Sequence, residues 1–217
     1  MSLDNATFDR FVTAVFGPGP SAGRHRDVGS LLDGRDHLSV VDCYARLFGA
    51  AGLLLRPYTD PQVAGGIAFL IDPGCSDYPF ALKDAEVPLE ERVRCVDALE
   101  LLFRDVFAAR SSPELPREGT GARAAIDQAC FMFFDRLPLH GEPPDPPLDT
   151  AMLALLGRLL KIEHRAVRES ALHGLGHWAL AYPPEVEAIV DRFLAEATSI
   201  DPALSRYARD AAAGAVE

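Results

Sequence analysis

The sequence predicts an all-α protein, and three observations support this fold class. Apolar residues recur at a period near 3.6 in most of the chain, as they do in amphipathic helices. No segment sustains the two-residue alternation of a half-buried strand. Most predicted helices follow a Pro, Ser, Asp or Asn that suits a helix start. With 217 residues, 48% of them apolar, we expect a single α-helical domain over residues 1–217.

The net charge of the chain disfavours one class of partner, nucleic acids. Acidic residues outnumber basic residues by 32 to 21, which gives a net charge of −11. A field of that sign repels phosphate backbones, so we expect no nucleic-acid partner. No run approaches about 18 consecutive apolar residues, and the N-terminus lacks a secretory pattern. We therefore expect a cytoplasmic protein without membrane contact, and its Arg-, Ala-, Gly- and Pro-rich composition suggests a bacterial source.

Known catalytic patterns are absent from the sequence. There is no phosphate-binding loop and no nucleophile elbow of the G-x-S-x-G type. The four cysteines include no C-x-x-C pair, and three of them lie in apolar helical segments where buried free thiols are expected. The exception is Cys75, which lies in a turn-rich segment. These observations favour a protein that is not an enzyme and has no cofactor.

The first 137 residues are predicted to be the less regular part of the domain. A polar, Gly-rich connection is expected up to about residue 36, and an irregular, loop-rich stretch with one short helix is expected around 56–85. The predicted helices of this part cover about 4–16, 37–55, 88–110 and 122–137.

The C-terminal part, 148–217, is predicted to form helical hairpins. It follows a stiff Pro-rich connector over residues 138–147. Proline, serine or aspartate marks the boundaries between its helices, which are separated by short loops. The predicted helices cover about 149–161, 164–182, 184–198 and 201–214.

One segment of this part resembles a known repeat family. The run from Val167 to Gly176 (VRESALHGLG) is similar to the second helix of a HEAT-like, armadillo-type repeat, with a weaker echo at 204–208, 37 positions later. A further echo lies 42 positions upstream, where Arg123, Ala124 and Ala129 match Arg165, Ala166 and Ala171. The resemblance covers about residues 120–217. It implies an α-α superhelix with a concave surface that binds a protein or peptide partner.

The predicted helix over 164–182 carries a histidine face. At 100° per residue, Glu169, His173 and His177 lie on one arc, opposite the apolar positions. Side chains four residues apart on a helix are neighbours, so a carboxylate and two imidazoles are brought together. Asp135 occupies the position equivalent to His177 at the 42-residue offset. Asp135 and His140 are therefore the candidates for a further group at this face.

Three hypotheses for the function follow. The first is a non-enzymatic helical-repeat module whose partner-binding surface includes Glu169, His173, His177, Asp135 and His140, with no metal. The alternative is a metal-binding protein or metal-dependent hydrolase, in which His173, His177 and Glu169 ligate zinc or another divalent metal. A third, DNA binding by a HEAT-like fold, is disfavoured by the acidic charge. Plain helix packing also explains a Glu-His pair four residues apart.

Overall fold

The computed structural model describes residues 3–17, 21–32, 36–113, 124–141, 143–196 and 200–216. Within these ranges the chain forms helices and no strand, so the predicted all-α class is confirmed. A 3₁₀ helix lies between α5 and α6, and a π-helical turn lies between α6 and α7. The helices are α1 (Asn5–Phe16), α2 (Ser21–Leu32), α3 (His37–Gly49), α4 (Ala51–Leu54), α5 (Asp60–Ile71), the 3₁₀ helix (Tyr78–Lys83), α6 (Leu89–Leu102), the π-helical turn (Phe103–Phe107), α7 (Ala108–Arg110), α8 (Ala125–Phe131), α9 (Phe133–Arg136), α10 (Pro146–Leu159), α11 (Arg165–Trp178), α12 (Pro183–Glu196) and α13 (Pro202–Ala212).

From α3 onward, the long helices pack in two layers. In one layer α3 contacts α6, α6 contacts α10, and α10 contacts α12. In the other layer α5 contacts α8, α8 contacts α11, and α11 contacts α13. Contacts between α10 and α11, and between α12 and α13, join the layers. The stacking therefore includes the N-terminal part, where the sequence shows no repeat echo.

One prediction for the N-terminal part is wrong, because helix α2 occupies most of the expected connection before residue 36. The one short helix expected within 56–85 is present as α5, which is 12 residues long and regular. A capping box starts α5, because Gln62 Oε1 accepts a hydrogen bond from the Thr59 backbone N–H at 2.9 Å. Gly66 allows the Phe16 ring to approach, since a Cβ there would lie 2.3 Å from that ring. Glycine at this position therefore lets α1 and α5 pack closely.

Other predicted boundaries change by a few residues. The predicted helix over 88–110 contains the π-helical turn, and the described part of the one over 122–137 breaks at Met132. The predicted connector over 138–147 is shorter than expected, because α10 already begins at Pro146. Proline suits the first turn of a helix, where its missing N–H would have no helical partner. Helices α11, α12 and α13 confirm the predicted hairpin elements.

Helix α11 lies at the centre of the C-terminal part. Ten of its 14 residues are buried, and α8, α9, α10, α12 and α13 all pack against it. Its Gly174 lies under Phe134 and Leu156, where a Cβ would come within 2.9 Å of both side chains. Glycine at this position therefore lets α9 and α10 approach α11 closely.

The helix lengths and the cysteines agree with what the sequence predicts for them. No helix in the described part of the chain is long and apolar enough to cross a membrane. All four cysteines are free thiols, with Cys43, Cys95 and Cys130 buried and Cys75 half-buried. Burial raises the pKa of the Cys95 and Cys130 thiols well above their usual range, so neither is a reactive thiolate at neutral pH.

The two glycines of the central packing should respond to alanine in opposite directions. We expect Gly174→Ala to lower the free energy of unfolding by about 1–3 kcal/mol, because the added methyl group overpacks a close contact. We expect Gly157→Ala to raise it by up to about 1 kcal/mol, because alanine is the better helix former. A Cβ at Gly157 would meet only Ile189, at an ordinary 3.6 Å. Urea unfolding followed by circular dichroism measures both changes, and equal effects would contradict this description of the packing.

Candidate metal centre

Two histidines of α11 converge on one carboxylate of α9. His173 Nε2 lies 2.9 Å from Asp135 Oδ2, and His177 Nε2 lies 2.6 Å from Asp135 Oδ1. The four-residue spacing puts both imidazoles on one face of α11. The break at Met132 separates α8 from α9 and leaves Asp135 in the short helix that packs on that face. The sequence prediction that Asp135 lies near this face is confirmed.

The hydrogen-bond chemistry fixes the protons of this cluster when no ion is bound. An ionised carboxylate can only accept, so both Nε2 atoms carry hydrogen and donate to Asp135. A neutral His173 then has an accepting Nδ1, which lies 2.7 Å from the Tyr207 hydroxyl of α13. Tyr207 therefore donates to His173, and His173 donates to Asp135. Three helices contribute one continuous chain of hydrogen bonds.

The cluster is closed on one side and open on the other. His173 is 3% exposed, and the Phe131 ring lies against it with a centroid distance of 4.7 Å. The side chain of His177 is 32% exposed, and that of Asp135 is 22% exposed. Solvent or a small solute therefore reaches the cluster from the His177 side, while His173 is held rigidly from within.

The pKa of Asp135 is unusually low for a half-buried carboxylate. Burial raises its pKa, but the hydrogen bonds from His173 and His177 outweigh burial and hold the pKa well below its usual range. Among the described residues, no arginine or lysine lies within ion-pair distance of this carboxylate, and its hydrogen-bond partners are the two imidazoles. With neutral imidazoles, the cluster carries one uncompensated negative charge, which favours a bound cation.

Two other predicted site residues lie beside this cluster rather than in it. Glu169 Oε1 accepts a hydrogen bond from Arg165 Nε at 2.7 Å, and Arg165 also pairs with Asp201. The carboxylate of the cluster is thus Asp135 and not Glu169. His140 Nε2 donates to the Phe134 carbonyl at 2.7 Å. Burial lowers the pKa of His140, although that hydrogen bond opposes the change.

The predicted partner-binding face is covered over much of its area. His173 is buried under Phe131 and bonded to Tyr207, and Glu169 is held by Arg165. The α11 face is therefore not an open surface at His173, because α9 and α13 pack over it. Only the edge at His177 reaches solvent, and there the His140 ring lies 5.6 Å from the His177 ring.

Sequence reasoning missed the role of Tyr207. This residue lies inside the weak repeat echo at 204–208, and its distance of 34 positions from His173 carries no recognisable signal. Only the contact between α11 and α13 brings its hydroxyl to His173 Nδ1. Sequence reasoning also gave no sign that the Phe131 ring packs against the buried imidazole of His173.

Comparisons with known proteins give no relative for this chain: no protein family, no curated protein and no solved structure matches it.

The lowered pKa of Asp135 predicts how acid affects stability. A carboxylate whose pKa falls on folding stabilises the folded state above its unfolded pKa of about 4, and this contribution is lost as the pH falls below that value. We expect Asp135→Asn to lower the free energy of unfolding by about 1–3 kcal/mol near neutral pH. The difference from the wild type should begin to shrink below about pH 5 and should go on shrinking as the pH falls toward the lowered pKa of the folded state.

Denaturant unfolding of both proteins across that range measures the effect. Asp9→Asn, at an exposed position of α1, is the matched control and should change stability little at either pH. A difference between wild type and Asp135→Asn that stays constant on acidification would contradict the predicted pKa.

Proposed function

We propose that this protein binds one divalent transition-metal ion through Asp135, His173 and His177. The observation that carries the proposal is the convergence of one carboxylate oxygen and two imidazole nitrogens, all within 4.8 Å of one another. Two histidines and one carboxylate form a ligand set that suits zinc, as well as iron and other first-row metals. The uncompensated negative charge, with no arginine or lysine within ion-pair distance of Asp135 among the described residues, supports a cationic ligand.

Metal binding would change which ring nitrogen of His173 and of His177 carries the hydrogen. The hydrogen of each neutral imidazole must move from Nε2 to Nδ1 before Nε2 can ligate. A protonated imidazole has no free lone pair for the ion, so affinity should fall on acidification. His173 would then carry its hydrogen on Nδ1 and donate it to the Tyr207 oxygen, reversing the direction of that hydrogen bond. A hydrogen bond on the second ring nitrogen is the usual device that orients a ligating histidine. The buried position of His173 supports the same role.

Solvent access to the cluster indicates whether a bound ion would be structural or catalytic. Structural zinc sites are closed by four protein ligands, whereas catalytic sites have three and hold water in the remaining position. Here three protein groups converge, and the His177 side is exposed. We therefore propose a solvent-accessible ion of the kind that activates water for hydrolysis.

Partner binding by a helical-repeat scaffold is the second candidate function. The packing of α10 with α12, and of α11 with α13, supports a HEAT-like arrangement, because neighbouring repeats stack each helix on its counterpart. The same succession runs back to α3 and α5. A repeat scaffold and a metal site are compatible, since two of the proposed ligands lie on α11 and the third lies on α9, which packs against it.

The metal proposal predicts the outcome of a calorimetric titration. After treatment with a chelator, the wild-type protein at neutral pH should bind one equivalent of Zn²⁺. His173→Ala and His177→Ala should each weaken binding by at least about 100-fold, more than is typical of losing an outer-shell partner. His37→Ala is the matched control, because His37 also pairs with one carboxylate, Asp84, but has no second imidazole there.

Two results would contradict the metal proposal. One is a wild-type protein that binds no Zn²⁺, Fe²⁺ or Mn²⁺. The other is a variant of His173 or His177 that remains folded by circular dichroism and binds the ion as tightly as the His37→Ala control.

A further inference from the structure

A second site is suggested by a groove between α10 and α12. Its cavity volume is about 400 Å³, and none of the three proposed metal ligands lines it. Its apolar surface comes from Leu153 and Leu160 of the α10 side and from Ile189 and Phe193 of α12. This volume and lining are typical of sites that enclose a small molecule with an apolar body.

Gly157 keeps the centre of this groove open. It lies on α10 and faces α12, where a Cβ would meet only the Ile189 side chain at 3.6 Å. A large side chain at this position would therefore extend into the groove. Phe193, opposite, is buried, so the floor is held by the core rather than by loose surface residues.

The rim of the groove is positively charged, although the chain as a whole carries a net charge of −11. Arg158, Lys161, Arg168 and Arg192 line it, together with one carboxylate, Glu196. Arg158 is already paired with two carboxylates of α6. The other three cations have no carboxylate within ion-pair distance among the residues that the structure describes. The groove thus holds a local surplus of positive charge.

Arg168 is held in place to receive an anion. Its Nε donates to the Leu160 carbonyl at 3.1 Å, and its guanidinium carbon lies 5.7 Å from the centre of the Phe193 ring. The two terminal nitrogens remain available at the groove. A fixed, planar guanidinium presents parallel N–H groups that match the two oxygens of a carboxylate.

We propose that this groove binds a small amphipathic anion, namely a carboxylate attached to a medium-length acyl chain. The apolar floor accommodates the chain, and Lys161, Arg168 and Arg192 hold the carboxylate at the rim. The charge complementarity selects an anion over a neutral or cationic amphiphile. This inference is independent of the metal proposal, because the two sites share no residue.

The test is a calorimetric titration of the full chain with octanoate, well below its micelle concentration. Octanol and octylammonium, of equal chain length, are the matched ligands. We expect saturable binding of one octanoate, octanol weaker by about tenfold or more, and no detectable octylammonium binding. Raising the salt concentration should weaken octanoate more than octanol, because salt screens the charges at the exposed rim.

Three variants locate the binding. Gly157→Leu should abolish it by filling the groove, and Arg168→Gln should weaken it about tenfold by removing the carboxylate partner. Arg104→Gln, an exposed arginine on the π-helical turn and outside the groove, should leave it unchanged. Circular dichroism checks that each variant is folded, and Arg192→Gln repeats the charge test at an exposed position if Arg168→Gln is not.

Several outcomes would overturn the proposal. Octanol that binds as tightly as octanoate would show simple apolar adsorption, and full affinity in folded Gly157→Leu would place the ligand elsewhere. Absence of octanoate binding, including the case in which ultracentrifugation shows a second copy of the chain associating through this face, would also reject it.

Discussion

The burial of α11 is the constraint on which the rest of the C-terminal structure depends. A helix packed on nearly all sides takes polar side chains into the interior, where each unpaired group costs about 1–3 kcal/mol. On α11 the buried Trp178 Nε1 has no hydrogen-bond partner among the described residues, whereas Ser170 and His173 both have one. Ser170 donates to the Cys130 carbonyl at 2.6 Å, and His173 is bonded to Asp135 and Tyr207. The positions of α8, α9 and α13 around α11 are therefore coupled to its polar residues as well as to its apolar ones.

This constraint links the fold to the proposed chemistry. Asp135 is the partner that makes a buried His173 tolerable, and the same carboxylate also receives His177 at the solvent edge. The result is one anion held by two imidazoles and by no arginine or lysine within the described part of the chain. The hydrogen bond from His177 also stabilises the Asp135 carboxylate, and the proposed metal site requires both imidazoles. The close packing permitted by Gly174 keeps the short helix α9, and hence Asp135, against α11.

Much of this arrangement could be predicted from the sequence, and the exceptions have physical causes. The helical period identified α11, the four-residue spacing paired His173 with His177, and the 42-residue offset placed Asp135 nearby. The bounds of α5 could not be predicted because this helix is apolar on nearly every side and has little periodicity, and its Gly66 is explained only by contact with Phe16. Glu169 fitted the helical spacing equally well, but in the structure its carboxylate is bound by Arg165, which also pairs with Asp201. Asp201 is distant in sequence, so the local pattern could not predict this ion-pair network. The same holds for Tyr207.

The most direct test of the central claim is a crystal structure of the zinc-loaded protein with anomalous data collected on both sides of the zinc absorption edge. The account predicts one strong anomalous peak at about 2.0–2.2 Å from an oxygen of Asp135 and from Nε2 of both His173 and His177. It also predicts His173 Nδ1 still within hydrogen-bond distance of Tyr207. A zinc-soaked crystal with no peak at this cluster, or with zinc bound only at other histidines such as His37, would contradict it.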